Sequence, residues 1–227
     1  MDNIPVITID GPSGSGKGTL SQQLAKHLHW HFLDSGSLYR ILALAAGQHL
    51  ISFSDEQALA NLAKTLSVEF LTQELGDTPR VLLDTQDVTH AIRTESCGNR
   101  ASSIAVFQKV RQALLERQRA FKKPPGLVTD GRDMGTIIFP DAVLKIYLDA
   151  SVEERAKRRH KQLLEKDIHT SFDVVKAQLI KRDQRDKTRS IAPLNPASDA
   201  IIMDTTGMAI ETVFNKIIAL TKKIPGV

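Results

Sequence analysis

The chain has 227 residues, 41% hydrophobic and 25% charged, with a formal net charge of +4. This is the balance of an ordinary globular protein with length enough for its own core, so a disordered or fibrous chain is excluded and one principal domain is expected. Cys97 is the single cysteine, which rules out an intrachain disulfide, and no apolar stretch is long enough to cross a bilayer. No basic segment leads into an apolar run at the start, so a cytoplasmic protein with no membrane partner is expected. The small positive charge favours anionic ligands without singling out nucleic acid.

In chain order, Pro5–Asp10 is a short apolar, β-branched run that predicts a buried strand ending at a glycine-rich turn. Leu20, Leu24 and Leu28 recur at helical spacing and predict a helix from Lys17 to about His29. Trp30–Asp34 reads as a second strand. Ser35 is the expected N-cap of a helix with Leu38, Leu42 and Ala45 on one face. Val68–Leu71, Arg80–Asp84 and Gln86–Val88 are strand-like runs divided by turns at Gly76–Pro79 and Asp84–Gln86, which predicts a small antiparallel insert. One long amphipathic helix is expected next, with Val106, Val110, Leu114 and Phe121 on its apolar face, ended by Pro124-Pro125-Gly126. Leu127–Asp130 and Val143–Leu148 read as the third and fourth strands. Ser151 and Glu154 have the spacing of a capping box and open a basic helix; another helix spans about Phe172–Asp186. Ala200–Asp204 is the fifth strand, and Ile210, Val213, Phe214, Ile217 and Ile218 form the buried side of a closing helix.

Strands alternating with amphipathic helices predict an α/β fold with a parallel sheet covered on both faces. Ligands of such sheets bind at the carboxyl ends of the strands. Those ends carry Asp10-Gly11, Asp34-Ser35, Asp130-Gly131 and Asp149.

Gly11, Pro12, Ser13, Gly14, Ser15, Gly16 and Lys17 satisfy G-x-x-x-x-G-K between a predicted strand and a predicted helix, the context that motif requires. Glycines let successive backbone N–H groups turn inward on phosphate oxygens, the helix N-terminus adds its dipole, and Lys17 supplies a point charge for the β- and γ-phosphates. This defines the donor side of a P-loop phosphotransferase that uses a nucleoside triphosphate. Gly18 stands where the general motif has a magnesium-ligating Ser or Thr, so Thr19, one position later, need not ligate the metal and is a candidate phosphate contact. Mg2+ is still expected, because it keeps several waters and bridges the phosphates themselves.

Arg40 and Arg132 lie at predicted strand ends, where a planar guanidinium fork suits a second phosphate. A phosphate acceptor is already largely dianionic near neutral pH, so it needs positioning and neutralisation in place of a general base. Asp130 either holds the hydration shell of magnesium or caps a turn. The basic run Lys157–Lys161 reads as a nucleic-acid patch, an exposed helix face or an arginine-bearing lid; it lacks interleaved aromatics for stacking on bases, and the lid fits best.

Taken together, the motifs resemble those of the nucleoside monophosphate kinases, most closely the bacterial cytidylate kinase family. The matching segments are Ile9–Thr19, Leu33–Gly36 with Tyr39-Arg40, Asp130–Thr136, and Arg182-Asp183 with Arg185-Asp186, Arg189 and Ile191–Leu194. The resemblance spans nearly the whole chain. It implies a five-stranded parallel core at about 1–34, 124–150 and 190–227, a monophosphate-binding subdomain with the insert at about 35–123, and a lid region at about 151–189. It further implies that Ser102, Arg111 and Asp133 contact a cytosine, that Ser35, Arg182 and Asp186 serve the sugar with Arg189 in support, and that Arg40 and Arg132 hold the acceptor phosphate. Arg158 is implied as the lid arginine and, with Lys17 and Arg132, as a catalytic group. The implied partners are ATP, CMP and dCMP acting on a monomer, with no nucleic acid. A kinase for another small acceptor and an RNA-stimulated ATP-binding module are the alternatives.

Overall fold

The computed structural model describes residues 4–72, 74–77, 79–165 and 167–224. Strands β1 (Val6–Asp10), β2 (His31–Asp34), β6 (Leu127–Gly131), β7 (Leu144–Asp149) and β8 (Ile201–Asp204) form one sheet in the order β2-β6-β1-β7-β8, every neighbouring pair parallel. Both β1 and β6 are buried at every position, as strands covered on both faces must be. On one face Ile7, Ile9, Leu20, Leu24, Val128 and Ile146 pack with Val213 and Ile217; on the other Leu33, Leu38 and Leu127 pack with Met134 and Ile138. The register sets Asp10 beside Gly131, Asp34 beside Asp130, and Asp149 beside Asp204, so the polar strand ends share one edge.

Helix α1 (Lys17–Leu28) follows the glycine-rich turn, and α8 (Ile210–Thr221) packs beside it. Ile210 remains exposed, contrary to its expected place on the buried side. Asp34, and not Ser35, caps α2 (Ser35–Gln48): its side chain accepts from the Ser37 amide. The carboxylate sits one position earlier and leaves Ser35 as the first helical residue.

A second core forms around α2, α3 (Glu56–Thr65), α4 (Glu95–Ile104) and α5 (Gln108–Arg119), with Ile41, Leu42, Leu59, Ile104, Val110 and Leu114 fully buried. The three-stranded insert β3 (Val68–Leu71), β4 (Arg80–Leu83) and β5 (Gln86–Asp87) is antiparallel and packs Val81 and Leu83 into this core. Thr78 of the expected turn lies outside the described residues, as do the outer ends of the expected core. The single long helix expected here is two. Phe107 is extended, with ψ 126°, and Val106 falls in the break while Phe121 lies beyond α5. The halves have different partners, α4 packing on α2 and α5 on α3, and this tertiary demand overrides local helical propensity.

Helices α6 (Val152–Leu164) and α7 (Phe172–Thr188) pack on each other through Ala156, Leu163, Val175 and Leu179. Ser151 caps α6 as expected, accepting from the Glu154 amide. No helix among the described residues is long and apolar enough to cross a membrane.

Candidate active site

The cradle hangs between β1 and α1. Gly11 crosses directly over β7, and a Cβ there would collide with the Leu148 carbonyl oxygen. Gly16 adopts φ 91°, the left-handed conformation glycine tolerates, and offers no side chain to cap α1. The first-turn amides of α1 therefore have no side-chain acceptor and face the loop as an anion site. Lys17 is buried and donates to the Pro12 carbonyl at 2.9 Å. Arg155 braces the loop from behind, donating to the carbonyls of Ala150 at 2.9 Å and Ser13 at 3.0 Å while pairing with Asp183 at 2.6 Å.

Beside the cradle lies a cavity of about 250 Å³ lined by Ser13, Gly14, Lys17 and Gly18 on one side. Every residue expected on the acceptor side, Ser35, Arg40, Ser102, Arg111, Arg132, Asp133, Arg182, Asp186 and Arg189, lines its remainder, together with Asp130. The acceptor-side residues come from five chain segments. Arg40 leaves α2 and donates through Nη1 to the carbonyls of Ile92 and Thr94 at 2.9 and 3.1 Å. Ser102 of α4 donates to Asp186 Oδ1 of α7 at 3.3 Å. Arg111 of α5 pairs with Asp133 through Nη2, donates through Nη1 to Ala105, and lies 5.7 Å from the centre of the Tyr39 ring. Asp10 holds the loop after β6 in place by accepting from the amides of Met134 and Gly135 at 2.9 and 2.8 Å. A further cavity of about 380 Å³ shares Asp34, Arg40 and Asp130 and runs under the insert between Phe32, Phe70 and Phe121.

The electrostatics are those of a site awaiting anions. Burial, then the charge of Arg132, lowers Lys17 to about 7 despite nearby Asp130. Burial and Asp34 raise Asp130 well above the ordinary carboxylate range, against the pull of Lys17 and Arg132. Burial also lifts Asp10 to about 6, opposed by its two amide donors. Arg182 is lowered to about 10 by burial and by the charges of Arg132 and Arg40. At Asp186 burial pushes upward, but Arg132 and Arg182 outweigh it and hold the carboxyl below its usual range. Arg182 Nε and Arg189 Nη2 are buried without a hydrogen-bond acceptor, an arrangement that costs free energy until an acceptor is supplied.

Asp130 Oδ2 is likewise buried and without a hydrogen-bond partner, and it lies 3.6 Å from where a Cβ on Gly18 would stand. That free carboxylate oxygen at the foot of the cradle fits a magnesium ion held partly through water. No cluster of three or more His, Cys, Asp or Glu suited to a metal occurs among the described residues. The donor set thus suits a cation that arrives with phosphate ligands of its own.

Some participants have no local signature in the sequence. Arg158 stands apart from the acceptor cavity: it donates to Thr205 Oγ1 and Thr205 O at 3.1 and 2.6 Å and to the Ser15 carbonyl at 3.4 Å. With Gly14, Ser15, Gly16, Thr19, Thr205, Met208 and Val213 it lines a separate cavity of about 340 Å³ on the outer side of the cradle. Its neighbour Arg159 lines all three cavities and pairs with Glu95 of α4. Arg155, Glu95 and the Thr205–Val213 wall were not singled out from sequence. Arg155 sits among other basic residues of α6, and only the packing of α6 against α7 reveals it as buried. A polar turn, Asp204–Gly207, directly after the last parallel strand was the one signal for the outer cavity.

A parallel sheet, a strand–glycine loop–helix phosphate cradle and an adjoining arginine-lined cavity define a P-loop kinase. The Cytidylate kinase family model matches residues 7–223. A cytidylate kinase of Nitrosococcus oceani is 56% identical over 215 residues, 95% of each chain. Cytidylate kinases of Yersinia enterocolitica and Proteus mirabilis are each 53% identical, covering 97% of this chain and 95% and 97% of their own lengths. The chain belongs to the cytidylate kinase family.

Proposed function

We propose that the protein transfers the γ-phosphoryl group of ATP to CMP and dCMP, giving CDP or dCDP and ADP. One observation carries this reading: the uncapped start of α1 and the buried Arg111–Asp133 pair face a single cavity in which Arg182 Nε and Arg189 Nη2 are buried without acceptors. The triphosphate sits on the cradle amides and Lys17, with its nucleoside in the outer cavity beside Thr205, Met208 and Val213. The monophosphate sits between Arg40 and Arg132, its base against Ser102, Arg111 and Asp133, its sugar near Ser35, Arg182 and Asp186, with Arg189 supporting Asp133. Asp130 would help to hold a magnesium ion together with the phosphates, and the ion would supply neutralisation of charge on the transferred group.

An oxygen of the acceptor phosphate attacks the γ-phosphorus, and the bond from that phosphorus to the β–γ bridging oxygen breaks, leaving ADP. No proton needs to be removed from a dianionic acceptor, so the protein's task is alignment and charge. Lys17 and the arginines bring two mutually repelling anions together, and Arg158 closes on the donor side. Cytosine offers an N4 donor that Asp133 accepts, and N3 and O2 acceptors that Arg111 satisfies. Uracil turns an acceptor toward the carboxylate and leaves buried polar groups mismatched. In this reading the core, the monophosphate subdomain with its insert and the α6–α7 lid keep the boundaries given above, and the enzyme works as a cytoplasmic monomer.

The test is product analysis after incubation with ATP, magnesium and each nucleoside monophosphate in turn. CMP and dCMP are converted well ahead of UMP and AMP. Conversion of another monophosphate with CMP untouched overturns the base assignment.

A further inference from the structure

The hydrogen bonds around Ser13 close into a ring that joins the donor loop to the acceptor cavity. On one side the Ser13 hydroxyl accepts from Arg132 Nη2 at 2.7 Å, and Arg132 Nε donates to Asp186 Oδ2 at 2.8 Å. On the other side the Ser13 carbonyl accepts from Arg155 Nη1 at 3.0 Å, and the same nitrogen pairs with Asp183 Oδ2 at 2.6 Å. Asp183 and Asp186 are three residues apart on α7 and share one helical face, so α7 completes the ring. Ser13, Arg155, Asp183 and Asp186 are all buried. In so tightly packed a ring no member moves without the others.

We propose that Ser13 and Arg155 are positioning residues that couple occupancy of the donor cradle to the readiness of Arg132 for the acceptor; the proposal rests on the function argued above. Three of the five guanidinium N–H groups of Arg132 are engaged, by Asp186, the Gly131 carbonyl and Ser13. Two remain for an acceptor phosphate. A triphosphate seated on the cradle amides fixes the loop, and the fixed loop fixes Ser13. Ser13 then holds the Arg132 fork in one orientation, so the acceptor meets a guanidinium whose ordering has already taken place. Arg155 supports the arrangement from behind by pinning the Ser13 carbonyl to the end of β7 and to α7. Linkage makes the effect reciprocal: the factor by which the donor tightens the acceptor equals the factor by which the acceptor tightens the donor.

The experiment is isothermal titration of CMP, with and without saturating magnesium and a non-hydrolysable ATP analogue, into wild type, Ser13→Ala, Ser13→Thr and Arg155→Lys. In wild type the analogue tightens CMP. In Ser13→Ala that tightening factor falls by about five-fold or more, the lower range of ordinary coupling between sites. Thr retains the hydroxyl and restores the factor. Lys keeps a charge opposite Asp183 but cannot reach its three partners at once, so it lowers the factor as Ala does. The reverse titration, analogue into enzyme with and without CMP, gives the same ratios. A purely structural role predicts CMP weakened equally with and without the analogue, and that result overturns the proposal. So does a Thr variant that behaves as Ala. Failure of wild type to bind CMP at all overturns the functional reading first, whereas CMP binding with an unmoved ratio overturns the coupling alone.

Discussion

Asp133→Asn should cost stability and selectivity together, and the two losses can be separated. Asp133 and Arg111 are 5% and 8% exposed, and Arg189 Nη2 stands 3.7 Å from the other Asp133 oxygen. The amide keeps the shape of the carboxylate but leaves two guanidinium groups in the interior without their counter-charge. Breaking a buried pair in this way costs about 3–5 kcal/mol. At about 2–4 °C per kcal/mol for a chain of this size, the melting temperature of the nucleotide-free protein falls by roughly 6–20 °C. The double variant Arg111→Met/Asp133→Leu removes the pair but leaves Arg189 facing Asp186 alone, so it should recover only the part of the loss that belongs to Arg111, because buried pairs are often replaceable by packed apolar groups. It recovers no discrimination, since neither side chain can read a base. Calorimetry on all three proteins, with CMP and UMP kinetics on the same preparations, makes the comparison. Asp133→Asn melting within about 2 °C of the parent would refute the counter-charge argument.

Two further outcomes follow from the cradle. Gly11→Ala places a methyl group against the Leu148 carbonyl at φ 152°, so ATP affinity falls steeply and stability drops by about 1–3 kcal/mol; unchanged binding of a fluorescent ATP analogue contradicts the close approach. Lys17 has a folded value of about 7 against an ordinary 10.5, so between those pH values the unfolded chain holds a proton that the folded chain lacks. The cost of burying the ammonium is full below about pH 7 and is relieved as pH rises toward 10.5. Lys17→Met should therefore abolish transfer yet raise the nucleotide-free melting temperature at pH 7, and a lower melting temperature there is the contrary result.

How much of this could be read before the fold was known depends on how local each signal is. The strands were legible because a parallel sheet buried on both faces needs predominantly apolar runs: Val6–Ile9 supplies one, and Leu144–Leu148 another, broken only by Lys145, which pairs with Asp199. The cradle was legible because its chemistry is contiguous from Gly11 to Thr19. The break between α4 and α5 was not, for Ala105-Val106-Phe107 contains neither proline nor glycine and the chain turns there only to satisfy two different helical partners. Arg155 was hidden for a related reason. Nothing in Glu154-Arg155-Ala156-Lys157-Arg158-Arg159 tells which guanidinium faces the interior until α7 is laid against α6. Ile210 shows the reverse error: an apolar residue at correct spacing stays exposed because it opens its helix, where it lines the outer cavity and does not reach the core.

The Asp10 carboxylate, holding the amides of Met134 and Gly135, gives the catalytic span a fixed gauge. Asp10 is the residue on which the donor loop begins, and the loop it grips carries Arg132 and Asp133. The separation between giver and receiver is thus cut into the rigid centre of the sheet, at the junction of β1 and β6. Whatever opening admits two nucleotides and releases two products has to be taken up by the outlying helices. Length tolerance lies at the periphery, while the segment that carries Arg132 and Asp133 is tied to the foot of the cradle by one side chain that stands outside the lining of the acceptor cavity.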